Sequence, residues 1–385
     1  MSETLVASAV AVGIDELILG RELSCPIHDP NGVLLLSAGS VITAEQKQSI
    51  KDRGIARIVI SQEDLVNTTC NEKLAEDTAS RLLGQQIDQQ IVERLRSVKG
   101  NGSNINNTGP ALLKSVVQHG RAVHNRAFQQ DVLRQNEEAS KSIHSMIGAV
   151  ERGNLEEIDG DTVGGMADSL MKNLTADIES ALSCTLGTKQ PTLTKHTLQV
   201  ATLAMSIGIE LGLDAKNIQI LGTIGFVHDL GMARVPKSIL EAKRVLTTVD
   251  FLEVQKHPTH TVNILDKIPG LPNCVRLVAY QIHERPDGSG YPRGRKGQNI
   301  HLLARIVHVA DAYTALTSPR PHRQALMPYG ALLCLLRQAQ RNQVDPEVVR
   351  SLLYVLSLYP IDSFVSLSDG SVAQVVRSNP TSTVM

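Results

Sequence analysis

The sequence contains no tryptophan, and aromatic residues make up only 3% of its 385 residues. Proteins that bind single-stranded nucleic acid stack its bases on aromatic side chains, so this scarcity argues against such a partner. Lysine and arginine number 38 against 39 aspartate and glutamate residues, so the net charge of −1 predicts no basic surface for a nucleic acid or an anionic membrane. No nucleic-acid partner is therefore expected.

Cysteine is also scarce, and the five cysteines are scattered without a Cys-x-x-Cys pair. Scattered thiols of odd number favour reduced cysteines over a disulfide framework or a zinc ribbon. No basic leader precedes the short N-terminal apolar run, and no apolar segment reaches the length of about 18 residues that a membrane-spanning helix requires. These absences predict a cytoplasmic protein without a membrane span.

The sequence that is present divides into four regions. Residues 14–62 alternate short apolar runs with turn residues, which predicts a small α+β module. The pattern of residues 63–185 predicts helices with a flexible break at 100–109, because the glycine, serine and asparagine residues there do not form a periodic apolar pattern. Residues 186–360 predict an all-helical domain, and residues 361–385 predict a short β-hairpin with a frayed tail. The fold class expected is therefore mainly α.

The α+β module has clear turn and cap signals but no catalytic cluster. Asp29, Pro30, Asn31 and Gly32 supply turn chemistry, and Thr43 is the expected N-cap of its helix. A docking or packing role is the simpler hypothesis for this module, and a ligand-sensing role is the alternative.

The all-helical region contains histidine and aspartate residues on stripes that are otherwise apolar. Helices are predicted from about 194 to 211, 215 to 228, 248 to 264 with a kink at Pro258, 273 to 283 and 300 to 316, and the polar residues are His196, His228, Asp229, His257, His283 and Asp311. One such histidine is usually a hydrogen-bonded core residue. Six polar groups without partners would each cost about 1 to 3 kcal/mol, and a metal centre removes that cost.

The chemistry of these six side chains narrows the kind of site. A mixed set of imidazoles and carboxylates without thiolate suits iron, manganese, zinc or nickel. One carboxylate, with Asp229 the best candidate, can bridge two ions. Two-metal sites of this type promote the in-line attack of water on a phosphate ester.

Four sequence blocks occur in order in this region. They are HDLG at 228–231, HPTH at 257–260, HERPDGSGYP at 283–292 and VADAYTALTSPRPHR at 309–323. Together they resemble the HD-GYP subgroup of the HD phosphohydrolase superfamily over roughly residues 192–358. The resemblance implies a metal-dependent phosphodiesterase that hydrolyses the bacterial second messenger cyclic di-GMP, by way of linear pGpG, toward GMP.

The resemblance also implies roles for individual residues. The positions that match metal ligands are His196, His228, Asp229, His257, His283 and Asp311. Because Thr192 stands where members with three metals have a glutamate, two divalent ions are implied, with iron or manganese expected. Asp229 is then a catalytic residue as well as a ligand.

The substrate contacts are implied in the same way. Gly290, Tyr291 and Pro292 match the signature loop that lines the substrate cleft. Arg320 and Arg323 match basic positions that contact the dinucleotide phosphates, where guanidinium groups bind phosphate oxygens and stabilise charge in the transition state. The two arginines are therefore expected to be both substrate-binding and catalytic.

Two departures from the family pattern support an alternative function. Ile282 stands where the family has the first of two consecutive histidines, and Met232 stands where a lysine is common. The alternative is a degenerate domain that binds cyclic di-GMP, or docks a diguanylate cyclase, with weak or no hydrolysis. The intact DGSGYP block and the two arginines favour the enzyme, which is the preferred hypothesis.

Two further histidines and two further partners complete the expectations. His260 and His308 are candidates to replace the ligand missing at 282, although a surface or supporting role is the simpler interpretation. A diguanylate cyclase domain is an expected partner besides cyclic di-GMP. A second copy of the chain, bound through the helical region, is the other.

Overall fold

The computed structural model describes residues 9–14, 23, 25–29, 31–61, 105, 107–117, 125–186, 192–242, 244, 246–319, 325–356, 364–367 and 369–375. The chain separates into two compact units, Met1–Gln85 and Gln86–Met385. Among the described residues, no helix combines the length and the apolarity needed to cross a membrane. The helices predicted within 62–100 lie outside the described residues.

The first unit contains an antiparallel sheet and one helix. The sheet has the strand order β1, β4, β2, β3, and the elements are β1 (Ala9–Gly13), β2 (Ile27–His28), β3 (Leu34–Leu36), α1 (Ala44–Asp52) and β4 (Arg57–Ser61). In β4 the side chains of Ile58 and Ile60 are buried while Arg57 is exposed, the alternation of a strand with one face on a core. The predicted α+β pattern of this module is confirmed, and β1 is a strand that the sequence did not predict.

The turn and cap signals of the module have the predicted roles. The Asp29 side chain accepts hydrogen bonds from the amides of Asn31 and Val33. Thr43 caps α1 because its hydroxyl accepts from the Gln46 amide, while the Gln46 side chain accepts from the Thr43 amide.

The second unit is a bundle of helices followed by a hairpin. Its elements are α2 (Arg126–Arg152), α3 (Gly160–Ala176), α4 (Ile178–Leu186), α5 (Leu193–Glu210), α6 (Ala215–Val227), α7 (Lys237–Leu240), α8 (Thr248–Val254), α9 (His257–Leu265), α10 (Asn273–Gln281), α11 (Leu302–Thr317), α12 (Pro328–Gln340), α13 (Pro346–Val355), β5 (Phe364–Ser366) and β6 (Val372–Gln374). Helix α5 is buried on all sides from Thr197 to Ile209 and packs against α2, α6, α11 and α13. The core of the unit therefore surrounds α5, with His196 near its N-terminal end.

One predicted helix is two helices in the structure. The pattern at 248–264 predicts a single helix kinked at Pro258, but α8 ends at Val254 and α9 begins at His257. Pro258 lies in the first turn of α9, where a proline costs no hydrogen bond because the amides there have no intrahelical acceptor. The N-cap of α8 is Thr247, which forms a capping box with Asp250.

The end of the predicted flexible break is anchored. The Asp214 carboxylate caps α6 through the Asn217 amide and accepts the amides of Thr108 and Gly109 at 2.6 and 3.0 Å. Burial alone would raise the pKa of Asp214, but these amide donors outweigh it and lower the pKa. Residues 107–109 of the segment predicted as a flexible break are therefore hydrogen-bonded to residues 212–217 at the start of α6.

Replacing Asp214 tests this anchor. Asp214→Ala is expected to lower the free energy of unfolding by about 3 kcal/mol, because it removes a helix cap and charge-assisted hydrogen bonds to a second segment. The matched control is Asp159→Ala, which should cost about 1 kcal/mol, because the described hydrogen bonds of this N-cap side chain go to Asp161 and Thr162 of its own helix. Equal losses in urea denaturation would show that the contact with Thr108 and Gly109 does not contribute to stability.

Candidate metal centre

Six side chains that lie on five helices or just after them converge at one end of α5. His196 lies in the first turn of α5, His228 and Asp229 directly follow α6, His257 begins α9, His283 follows α10 by two residues, and Asp311 lies within α11. They form two groups, and within each group the candidate ligand atoms lie within 4.8 Å of one another. The first group is His196, His228 and Asp311, and the second group is Asp229, His257 and His283. All six residues predicted as metal ligands are thus brought together.

Asp229, a member of the second group, also faces the imidazoles of the first group. Its Oδ2 atom is 3.5 Å from His228 Nε2 and 3.9 Å from His196 Nε2. Its Oδ1 atom is 3.4 Å from His257 Nε2 and 4.0 Å from His283 Nε2. A carboxylate with one oxygen on each side has the arrangement needed to bridge two cations.

Asp311 also contacts both groups. Its Oδ1 atom is 3.1 Å from His196 Nε2, and its Oδ2 atom is 3.8 Å from His283 Nδ1. Within the second group the Nε2 atoms of His257 and His283 are 2.8 Å apart. The imidazole nitrogens and carboxylate oxygens therefore point at shared space.

The two deepest histidines are oriented by main-chain carbonyl groups. His228 Nδ1 is 2.8 Å from the Gly225 carbonyl oxygen, and His257 Nδ1 is 2.7 Å from that of Val254. Because a carbonyl oxygen can only accept, Nδ1 carries the proton in both rings. The Nε2 lone pairs are left to face the cluster, as in histidines that bind metals.

The burial of the cluster and its unpartnered atoms fit a cation. His228 and His257 form its floor with side chains 0% and 3% exposed, whereas Asp229, for example, is 13% exposed. His228 Nε2 and Asp229 Oδ1 are buried and have no hydrogen-bond partner among the described residues. Such orphaned atoms are costly unless a ligand binds them, and imidazole with carboxylate is a donor set that divalent metals accept.

The protonation states also suit metal binding. Burial would raise the pKa of Asp229, but His228 and His257 outweigh it and lower the pKa. The pKa of Asp311 is likewise lowered against the effect of burial, chiefly by its hydrogen bond with His196. Burial and the neighbouring His257 lower the pKa of His283 to about 3. At neutral pH the two carboxyls are therefore ionised and His283 is neutral, which are the states that metal ligands require.

A glycine and a threonine hold the turn after Asp229. A Cβ atom on Gly231 would lie 2.1 Å from the His257 carbonyl oxygen, so no larger residue fits there. The Thr261 hydroxyl accepts from the Gly231 amide and donates to the His228 carbonyl, both at 3.0 Å. The turn that carries two candidate ligands is thereby fixed against α9, which carries a third.

The predicted substrate loop adjoins the second group. The Tyr291 ring stacks on the His283 ring with centroids 5.0 Å apart and planes 10° apart, and the Tyr291 amide donates to the His283 carbonyl. Gly290 allows this approach, since a Cβ atom there would lie 2.3 Å from the main-chain nitrogen of Arg285. Gly290, Tyr291 and Pro292 are half-buried beside the cluster. Arg320 and Arg323 lie outside the described residues.

Glu284 is a site residue that the sequence analysis missed. It is 1% exposed, and its Oε1 and Oε2 atoms accept the amides of Arg293 and Arg295, both at 2.8 Å. Burial raises the pKa of this carboxyl although the amides oppose the rise. The sequence feature that could have indicated this role is an acidic residue between the end of a helix and a glycine-rich loop, whose amides have no helix or strand partners.

The residues proposed to compensate for Ile282 lie outside both groups. The Ile282 side chain is fully buried in the hydrophobic core. His308 is buried too, but its Nδ1 atom is 2.7 Å from the Ile282 carbonyl oxygen. Burial and the charge of Arg285 lower the pKa of His308 to about 4, so its ring is neutral at neutral pH. Neither His260 nor His308 belongs to the two groups found among the described residues.

Comparison with known proteins is consistent with this geometry. The family model described as HD domain matches residues 181–348. A cyclic di-GMP phosphodiesterase of Pseudomonas aeruginosa is 32% identical over 185 residues, which are 48% of this chain and 44% of that protein. The 3'3'-cGAMP-specific phosphodiesterase 3 of Vibrio cholerae is 31% identical, covering 50% of this chain and 42% of that protein. The chain thus spans under half the length of these relatives.

A third relative and one solved structure extend the comparison. A cyclic di-GMP phosphodiesterase response regulator of Xanthomonas campestris is 36% identical over 160 residues, covering 40% of this chain and 41% of that protein. An HDG"Y"P protein from Bdellovibrio bacteriovorus aligns over 90% of this chain and 98% of its own, with 17% identity and a TM-score of 0.49.

Fold and site together define a helical domain whose buried imidazole and carboxylate clusters could hold metal ions. Residues 181–348 therefore match an HD domain, and the DGSGYP loop lies within that match.

Glu284→Gln tests the support of the substrate loop. A glutamine retains only one acceptor oxygen, so one of the two loop amides meets an NH₂ group, and stability is expected to fall by about 1 to 3 kcal/mol. Hydrogen exchange at the amides of Arg293 and Arg295 should speed up. Asp287→Asn is the matched control, because Asp287 uses a single oxygen for Ser289 and an asparagine keeps it. Unchanged exchange in the Glu284 variant would rule out this support.

Proposed function

We propose that this protein is a metal-dependent phosphodiesterase that hydrolyses cyclic di-GMP, by way of linear pGpG, toward GMP. The observation that carries the proposal is Asp229, whose two oxygens face separate groups of imidazoles. Two divalent ions, with iron or manganese expected, would lower the pKa of a water molecule and neutralise phosphate charge. His196, His228 and Asp311 would hold one ion, His257 and His283 the other, and Asp229 both.

The chain's own residues supply binding and orientation. The rim of the cluster is formed by slightly exposed side chains such as Asp311 at 16% and His283 at 14% exposure, and it is the side from which a phosphodiester can approach. Tyr291, stacked on His283, borders that approach. Arg320 and Arg323 are proposed to bind the phosphates and to stabilise the charge that develops on them.

The degenerate alternative has less support. The six ligand positions converge without the imidazole that is absent at 282, and the relatives compared above carry the names of phosphodiesterases. Cyclic di-GMP is preferred over 3'3'-cGAMP because the HD-GYP resemblance implies it. A diguanylate cyclase partner, a homodimer through the helical region and a cytoplasmic location stay predictions.

The experiment that tests the proposal joins metal content to turnover. Wild type purified without oxygen should contain two ions per chain, matching the two groups, and should hydrolyse cyclic di-GMP faster than 3'3'-cGAMP. Asp229→Ala should lose both ions and all hydrolysis because it removes the shared ligand. His196→Ala should weaken only the first ion.

His144→Ala is the control, since His144 is exposed on α2. Metal-replete wild type that binds the dinucleotide without cleaving it would favour the degenerate alternative. Faster hydrolysis of 3'3'-cGAMP would reassign the substrate.

Ile282→His asks whether the missing imidazole limits activity. The side chain is buried beside Val278 and Val275, so an imidazole replaces core packing and should lower the stability of the metal-free protein by about 1 to 3 kcal/mol. If the added ring reaches the second group, that ion binds more tightly and hydrolysis rises. Calorimetry without and with metal measures the stability and the metal affinity, and a turnover assay measures hydrolysis. A variant that gains neither affinity nor turnover would show that Ile282 does not limit the enzyme.

A further inference from the structure

His308 is a buried imidazole to which the proposed chemistry assigns no role. It lies on α11 one turn before Asp311 and is 9% exposed. Its Nδ1 atom is 2.7 Å from the carbonyl oxygen of Ile282. Since a carbonyl only accepts, the ring donates its Nδ1 proton to that oxygen.

The Ile282 carbonyl needs a donor from outside its own helix. Ile282 is the C-cap of α10, and carbonyl groups in the last turn of a helix lack intrahelical donors. The residue four positions further on is Pro286, which has no amide hydrogen. A buried carbonyl left without a donor is costly, and His308 removes that cost.

This hydrogen bond acts on the peptide group that precedes His283. The carbonyl of Ile282 and the amide of His283 belong to one rigid peptide plane. The carbonyl of His283 on the other side accepts from the Tyr291 amide at 3.0 Å. Both peptide groups flanking His283 are therefore held, and the direction of its ring depends on them.

The ring so directed contacts one member of each group. His283 Nε2 lies 2.8 Å from His257 Nε2, and His283 Nδ1 lies 3.8 Å from Asp311 Oδ2. A second hydrogen bond, from the His301 amide to the Gln281 side chain at 2.8 Å, holds the same end of α10 to the start of α11. The end of α10, two residues before His283, is thus linked to α11, which carries Asp311.

We propose that His308 is a positioning residue for the second group: its Nδ1 proton holds the Ile282 carbonyl and thereby directs His283 toward the cation. Residue 282 thus contributes to the centre through its carbonyl rather than its side chain. This inference rests on the proposed metal-dependent function. Groups that orient ligands from outside the coordination shell typically change metal affinity by about 10- to 100-fold when removed.

Three variants separate orientation from packing. His308→Leu removes the donor and retains an apolar side chain of moderate size. His308→Asn keeps an N–H donor, because its Nδ2 atom is as many bonds from the main chain as the Nδ1 atom of histidine. Val307→Ala is the matched control: it makes a cavity in the same helix at a fully buried side chain and leaves the Ile282 carbonyl untouched.

The measurements are the melting temperature of each metal-free protein and the affinity for manganese at each site, by competition with a chromophoric chelator. His308→Leu is expected to weaken the second ion by about 10- to 100-fold. His308→Asn should bind it nearly as wild type does. Val307→Ala should melt lower without a loss of affinity.

Equal affinity in His308→Leu and wild type would overturn the inference, as would equal losses in the leucine and asparagine variants. Wild type that binds no manganese, iron or zinc would overturn the proposed metal centre itself. These failures are distinguishable because the first two leave the wild-type metal content intact.

Discussion

The position of Asp229 is the constraint on which the helical unit depends. Its carboxylate is largely buried, and both oxygens face imidazole rings, yet one oxygen has no hydrogen-bond partner in the described part of the chain. A buried charge of this kind is destabilising unless compensating groups reach it. The folding of α5, α6, α9, α10 and α11 around one point delivers those groups, so the same packing that forms the core also assembles the centre.

Helix ends do much of the orienting. The carbonyls of Gly225, Val254 and Ile282 all lie in the last turn or cap of a helix, where intrahelical donors run out. Each accepts from the Nδ1 atom of a buried histidine. For His228 and His257 this turns Nε2 toward the cluster, and for His308 it fixes the chain beside a ligand. The need of helix-end carbonyl groups for hydrogen-bond donors thus also orients the histidines of the site.

Much of the fold followed from local pattern. Helix α6 begins at Ala215 as predicted, because Asp214 caps it, and it ends at Val227, one residue before the predicted end at 228. The prediction at Pro258 was wrong because the spacing of apolar residues is the same in two cases. One case is a single helix kinked at an internal proline, and the other is two successive helices with the proline in the first turn of the second. The anchor of Thr108 on Asp214 joins residues 106 positions apart, which local pattern does not reveal.

The sequence by itself determined which side chains are candidate ligands, since each interrupts an apolar stripe, and which loop borders them. Helical periodicity specifies the direction in which a side chain leaves the axis of its helix, but it does not specify the distance between two helices. Only the tertiary structure therefore decided that Asp229 faces the imidazoles of both groups, that Glu284 holds the loop amides, and that His308 meets the carbonyl of Ile282 instead of joining the ligands.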